Sequence, residues 1–210
     1  MRTHQWRTLA LAAMLGMGVA GAQAALQGRD LDGNAATFEA YYDTTQNISW
    51  LADANAGGGA YFWDGATAWA AQLNVGGVTG WRLPVTPAVD PSCQFDAYGF
   101  GCSASEMGHL YEVDHISFLS PGPFSGLVGT GNWSASAGPV AFSRFAYGFN
   151  GGYTGFMLAH QNFGNTADAW AVHDGDVGNA VAAVPEPGTY AMMLGGLLAL
   201  GTVARHRKPR

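Results

Sequence analysis

Lysine is almost missing from this sequence: in 210 residues it occurs once, as Lys208. Charged residues of all kinds make up 11%, against about 25% in an average soluble domain. Between residues 25 and 183 the basic side chains are Arg29, Arg82 and Arg144, set against fourteen of the fifteen acids, a net −11 for that stretch. A nucleic-acid binder needs a basic face to neutralise phosphates, and that class is excluded. Cysteine is limited to Cys93 and Cys102, which leaves no spare cysteine for a catalytic thiol once the two pair. Strong self-similarity at 20–50 residues is lacking, which excludes a solenoid or propeller. Disorder is excluded by the opposite reasoning, because 48% of residues are hydrophobic and seven are Trp, more than a solvated chain carries.

The basic residues missing from the middle sit at the ends. Arg2 and Arg7 precede the uncharged apolar run Leu9 to Ala20, and Ala22-Gln23-Ala24 follows as an A-x-A cleavage site. Residues 1–24 therefore read as a secretory signal peptide, with the exported chain starting near Ala25. At the other end Val184-Pro185-Glu186-Pro187 interrupts regular structure, since two prolines remove two N–H donors. An uncharged apolar run, 189–204, then leads into Arg205, His206, Arg207, Lys208 and Arg210. Sixteen helical residues span roughly 24 Å at 1.5 Å per residue, a short crossing of a core about 30 Å thick. The basic cluster stays cytoplasmic by the positive-inside rule, which agrees with export of what precedes it.

A Val-Pro-Glu-Pro followed by a short apolar helix and an arginine cluster resembles the PEP-CTERM sorting signal. The resemblance implies export by an exopolysaccharide-making Gram-negative bacterium and recognition of the tail by exosortase, a membrane protease-transpeptidase. It makes Val184, Pro185, Glu186 and Pro187 the sorting motif. It makes 189–204 a transient anchor in the inner membrane, ahead of release or attachment at the cell surface.

Residues 25–183 have the size of a single domain. Asp30-Leu31-Asp32-Gly33-Asn34 offers oxygens at calcium-loop spacing, but Ala35 and Tyr41 stand where an EF-hand needs Gly and Glu; it reads as a turn. Phe38 to Trp50 predicts a hairpin. Asp64 to Leu73 predicts a helix capped by Asp64 and stopped at Gly76-Gly77. Gly80-Trp81-Arg82-Leu83-Pro84 predicts a short strand entering a turn. A second short helix is expected from Ser105, capped by Ser103 or Ser105, with Glu106 bracing the turn at Arg82. Candidate strands at 131–135, 140–149, 153–159 and 167–172 suggest an antiparallel meander, closed by a turn at Asp174-Gly175-Asp176. In an oxidising compartment Cys93 and Cys102 are expected to form a disulfide.

Tyr41-Tyr42-Asp43, Trp50-Leu51, Gly80-Trp81-Arg82-Leu83-Pro84, Ser105-Glu106-Met107, Asn132-Trp133-Ser134 and Ala169-Trp170-Ala171-Val172 together resemble the Lcl C-terminal-like domain, a family largely of unknown function similar in fold to C-type lectins. Residues 85–104, with both cysteines, are an insertion in that pattern. The resemblance implies an α+β, C-type-lectin-like domain over 25–183, with short helices and a mainly antiparallel sheet, between the signal peptide and the C-terminal transmembrane helix of the 184–210 tail. Its relatives' chemistry does not carry over: the cysteines lie in the insertion, and the calcium motifs of lectins do not occur in the domain.

His109, His115, His160 and His173 show no ligand spacing, and no Gly-x-Ser-x-Gly elbow is present. No catalytic residue, metal or cofactor is expected. Trp81 and Trp170 are expected in the core. Trp63 and Trp133, in loop-like settings, are the candidates for an exposed ligand surface. The leading expectation is a non-enzymatic cell-surface or matrix protein associated with exopolysaccharide. A polysaccharide hydrolase and a structural coat protein without a ligand stay open beside it.

Overall fold

The computed structural model describes residues 26–159 and 163–178, all within the unit Met1–Ala180. The segments read as signal peptide (1–24), sorting motif (Val184 to Pro187), apolar run (189–204) and basic cluster lie outside the described residues, as does His160. Among the described residues no helix is long and apolar enough to cross a membrane.

The element order is β1 (Leu26–Arg29), β2 (Ala40–Asp43), β3 (Ile48–Leu51), α1 (Trp63–Gln72), β4 (Gly99–Phe100), α2 (Glu106–Glu112), β5 (Gly131–Ala137), β6 (Ser143–Gly148), β7 (Tyr153–Leu158) and β8 (Val172–Asp174). The strands form two four-stranded sheets, ordered β1-β2-β3-β8 and β4-β7-β6-β5, with every pairing antiparallel. The expected α+β class is met in this coarse form.

The predicted hairpin is β2–β3, in register Ala40↔Leu51 to Asp43↔Ile48. Its turn works because the Asp43 carboxylate accepts from the Thr45 and Gln46 amides and Asn47 takes a left-handed φ of 54°. All four residues of β3 are buried. Trp50 meets Trp170 at 4.7 Å, and Phe124 and Phe149 close on Trp170 at 4.9 and 5.6 Å. Such rings each bury roughly 150–250 Å² and prefer these tilted contacts to face-to-face stacking. The Trp170 indole N–H donates to the Leu51 carbonyl at 2.8 Å, so its one polar atom is satisfied inside the core. Trp81 is buried as expected.

Three expectations need correction. Helix α1 starts one residue before Asp64, and its cap position, Phe62, makes no side-chain cap bond; Asp64 instead sits in the first turn, where its charge suits the helix dipole. The helix stops at Gln72 because Leu73 turns extended, while Gly76 and Gly77 shape the next turn, between Val75 and Val78. The last strand is not 167–172 in the meander. It is β8, which pairs with β3 in the other sheet and takes in Asp174. Gly80–Pro84 contributes a single bridge, Arg82↔Val172. Helix α2 follows expectation: Ser105 caps it by accepting from the Gly108 amide at 3.0 Å.

Arg82 ties these parts together. Its guanidinium donates to both Glu106 oxygens at 2.7 and 2.9 Å and to Asp174 at 2.6 Å. Glu106 also accepts from the Val85 amide at 2.8 Å. The hydrogen bond to Glu106 foremost, then that to Asp174, holds Arg82 in its charged form against the opposing effect of burial, and the same contact with Arg82 draws the Asp174 carboxyl below its ordinary range. Removing Arg82 leaves the largely buried Glu106 carboxylate with only the Val85 amide as a donor. Arg82→Ala is expected to lower folding stability by about 2–3 kcal/mol. Denaturant unfolding checks this, with Arg144→Ala as the comparison.

Candidate functional site

Of the two tryptophans expected on a ligand surface, one is fully buried and the other is half-buried with a cation on one ring face. Trp133 lies in β5 and is fully buried, with its indole N–H given to the Tyr61 carbonyl at 2.8 Å. That corrects its expected exposure: β5 is covered on both sides, and Asn132, Trp133 and Ser134 are all buried. Trp63 opens α1 half-buried. It donates to the Ser134 carbonyl at 2.9 Å, and the Arg144 guanidinium lies over its ring at 4.2 Å. One ring face is thus already taken by a cation.

An exposed aromatic surface lies on the segment 85–104 instead. Cys93 and Cys102 form the expected disulfide. Inside it the chain reverses tightly, Phe95 and Tyr98 exchanging backbone hydrogen bonds at 3.0 and 2.9 Å. Gly99 and Gly101 supply the φ values of 103° and 78° that bring the chain back, a conformation glycine reaches without steric cost. The return segment is β4, which pairs with β7 and so extends the meander by an edge strand.

Buried Asp90 organises the loop mouth. Its carboxylate accepts from the Ser92 amide and hydroxyl and from the Ala104 amide. The Ser92 hydroxyl in turn accepts from the Ser103 amide at 2.8 Å. Ser105, the α2 cap, donates its hydroxyl to the Cys102 carbonyl at 3.0 Å. Disulfide, aspartate and helix cap therefore fix both ends of one short loop.

The result is a cleft of about 390 Å³ lined by Asp90, Pro91, Gln94, Phe95, Asp96 and Tyr98. Phe95 and Tyr98 stack at 5.1 Å, and Tyr98 is backed by Phe156 at 5.3 Å. Alongside, Phe100 and Tyr153 meet at 5.1 Å. Phe95, Phe100 and Tyr153 are 48%, 55% and 42% exposed. Rigid ring faces stand next to an amide and carboxylates, an arrangement suited to a polar ligand with apolar faces. The sequence signal for this site is Phe95-Asp96-Ala97-Tyr98-Gly99-Phe100, an aromatic run enclosed by the two cysteines.

The positive charges of the described domain are spent internally. Arg29 is buried and makes a two-point contact with Asp176, which lowers that carboxyl below its ordinary range. Arg82 and Arg144 are held as described above.

Among the described residues three other groupings carry ligand-type atoms. Asp90 with Cys93 and Cys102 is no metal cage, because both sulfurs are in the disulfide. Asp30, Asp32 and Glu39 accept from the Gly33, Asn34 and Leu31 amides; this is the turn expected in place of a calcium loop. The third comprises Asp43, His109 and Asp114.

Comparison with protein families places one element of identity. Residues 183–208 carry the PEP-CTERM protein-sorting motif. The motif implies an exported protein that exosortase processes and sorts through the membrane to the cell surface. No curated protein and no solved structure matches the chain. The Cys93–Cys102 disulfide closes a loop of nine-residue separation. Replacing both cysteines by alanine is expected to lower stability by about 2–3 kcal/mol on the chain-entropy estimate. A thermal melt of oxidised protein against the double variant measures it.

Proposed function

We propose that this is a non-catalytic surface or matrix module that holds neutral exopolysaccharide in the aromatic cleft of its disulfide loop. The observation that carries the reading is the pairing of exposed Phe95, stacked on half-buried Tyr98, with the side chains of Gln94 and Asp96 in one cleft. Sugar rings have apolar C–H faces and hydroxyl rims; stacked rings receive the first, amide and carboxylate the second. The charge balance favours a neutral polymer. With its three arginines engaged inside and fourteen acids present, the domain repels sulfated or carboxylated chains. Asp90 supports a binding role over hydrolysis, since three donors already occupy this buried carboxylate.

The resemblance to Lcl C-terminal-like and C-type-lectin domains belongs to the same proposal. It is supported by the Trp81-Arg82-Leu83-Pro84 turn braced on Glu106. Export with a sorted tail supports this reading, because such a module would then act outside the cell.

The test is retention on the producing organism's exopolysaccharide. Phe95→Ala with Tyr98→Ala is expected to weaken retention about tenfold, the equivalent of one lost aromatic contact set, while no reducing ends are released. Unchanged retention in the double variant, or release of reducing ends, contradicts the reading.

A further inference from the structure

One buried cluster lies apart from the aromatic cleft and is left incomplete by the fold. Asp43 ends β2 and is fully buried. His109 sits on α2, and Asp114 follows just past the end of that helix. The three offer ligand atoms that all lie within 4.8 Å of one another. His109 Nε2 and Asp114 Oδ2 stand 3.9 Å apart, too far for a hydrogen bond. Both atoms are buried and neither has a hydrogen-bond partner. The Asp114 side chain is only 5% exposed, so this is a carboxylate oxygen withdrawn from water and left without a donor, facing a second buried aspartate. Buried polar groups are nearly always satisfied, and one that is not calls for an explanation.

We propose that Asp43, His109 and Asp114 form a binding site for a divalent first-row transition-metal ion such as Zn²⁺, Co²⁺ or Mn²⁺. One imidazole and two carboxylates are the donor set such ions accept. Ca²⁺ takes oxygen ligands, and the imidazole disfavours it. Soft Cu(I) is disfavoured because the set holds no sulfur. With bonds of 2.0–2.1 Å, tetrahedral ligand atoms stand about 3.3 Å apart, so the three side chains draw inward modestly on binding. Asp43 is already oriented for this. Its Oδ1 accepts from the Thr45 and Gln46 amides at 2.8 and 3.1 Å, and its Oδ2 from Gln46 Nε2 at 2.8 Å. Such outer contacts fix a ligating carboxylate. The same Gln46 amide reaches the Glu106 carbonyl at 3.3 Å. An ion here joins the end of β2 to α2, the helix whose Glu106 receives Arg82. The role is structural, and it is independent of the glycan reading.

The experiment uses the full chain in detergent, disulfide intact and stripped with chelator. Zn²⁺, Co²⁺, Mn²⁺ and Ca²⁺ are each titrated by calorimetry and followed by thermal melting. The expected result is one equivalent of Zn²⁺ or Co²⁺ bound with a raised melting temperature, and no such rise with Ca²⁺. His109→Gln and Asp114→Asn are each expected to weaken Zn²⁺ binding at least tenfold. Their metal-free melting temperatures show whether they fold. Absence of stoichiometric binding by the unaltered chain overturns the proposal. So does Zn²⁺ binding that both folded variants retain, which would place the ion elsewhere.

Discussion

The Arg82 guanidinium meets three segments that are far apart in the chain: the turn ending at Pro84, the first residue of α2, and the last residue of β8. Its backbone is bridged to Val172 at the same point. A single planar cation with donors in a fixed fork sets the angles of all three, which a flexible ammonium could not do. The segment 85–104 leaves and re-enters the fold at this junction. Val85 donates its amide to the Glu106 carboxylate, and Glu106 donates its amide to the Val85 carbonyl. Twenty residues can therefore be looped out without loosening the sheets, because the two ends of the loop are bonded to each other.

What the segment gains from this anchoring is rigidity. The disulfide, the saturated Asp90 and the Ser105 cap leave the loop little freedom, so its aromatic faces are ordered before any ligand arrives. Binding then loses less conformational entropy. Charge works in the same direction. A domain with few charges, and with its cations committed internally, leaves hydrogen bonding and ring stacking as the available forces at its surface. These are the forces that distinguish a neutral polymer from a charged one.

Much of the local structure was legible in the sequence, because local physics decides it. The β2–β3 hairpin follows from aromatic and β-branched residues on either side of a polar turn. Helix α2 follows from Ser105 as cap and Glu106 in the first turn, and the Arg82–Glu106 pair from the same motif. The sorting tail is legible because its order of proline motif, apolar run and basic cluster is written along the chain. What escaped depends on pairings across long separations. Trp133 looked loop-like, and its burial is fixed only when β6 on one side and the Trp133–Asp168 backbone contact on the other enclose β5. β8 lies 122 residues from its partner at Trp50–Val172, a distance over which no pattern of neighbours speaks. Asp43 and His109 are likewise brought together by tertiary packing alone.

The central claim, that the disulfide loop is the ligand surface, is tested most directly by mapping backbone amide shifts while a neutral oligosaccharide cut from the exopolysaccharide is added. The account predicts that the largest changes fall on Gln94 to Phe100 and Tyr153, with the amides around Trp63 and Trp133 unmoved. Saturable shifts centred anywhere else, or no shifts at all, would contradict it.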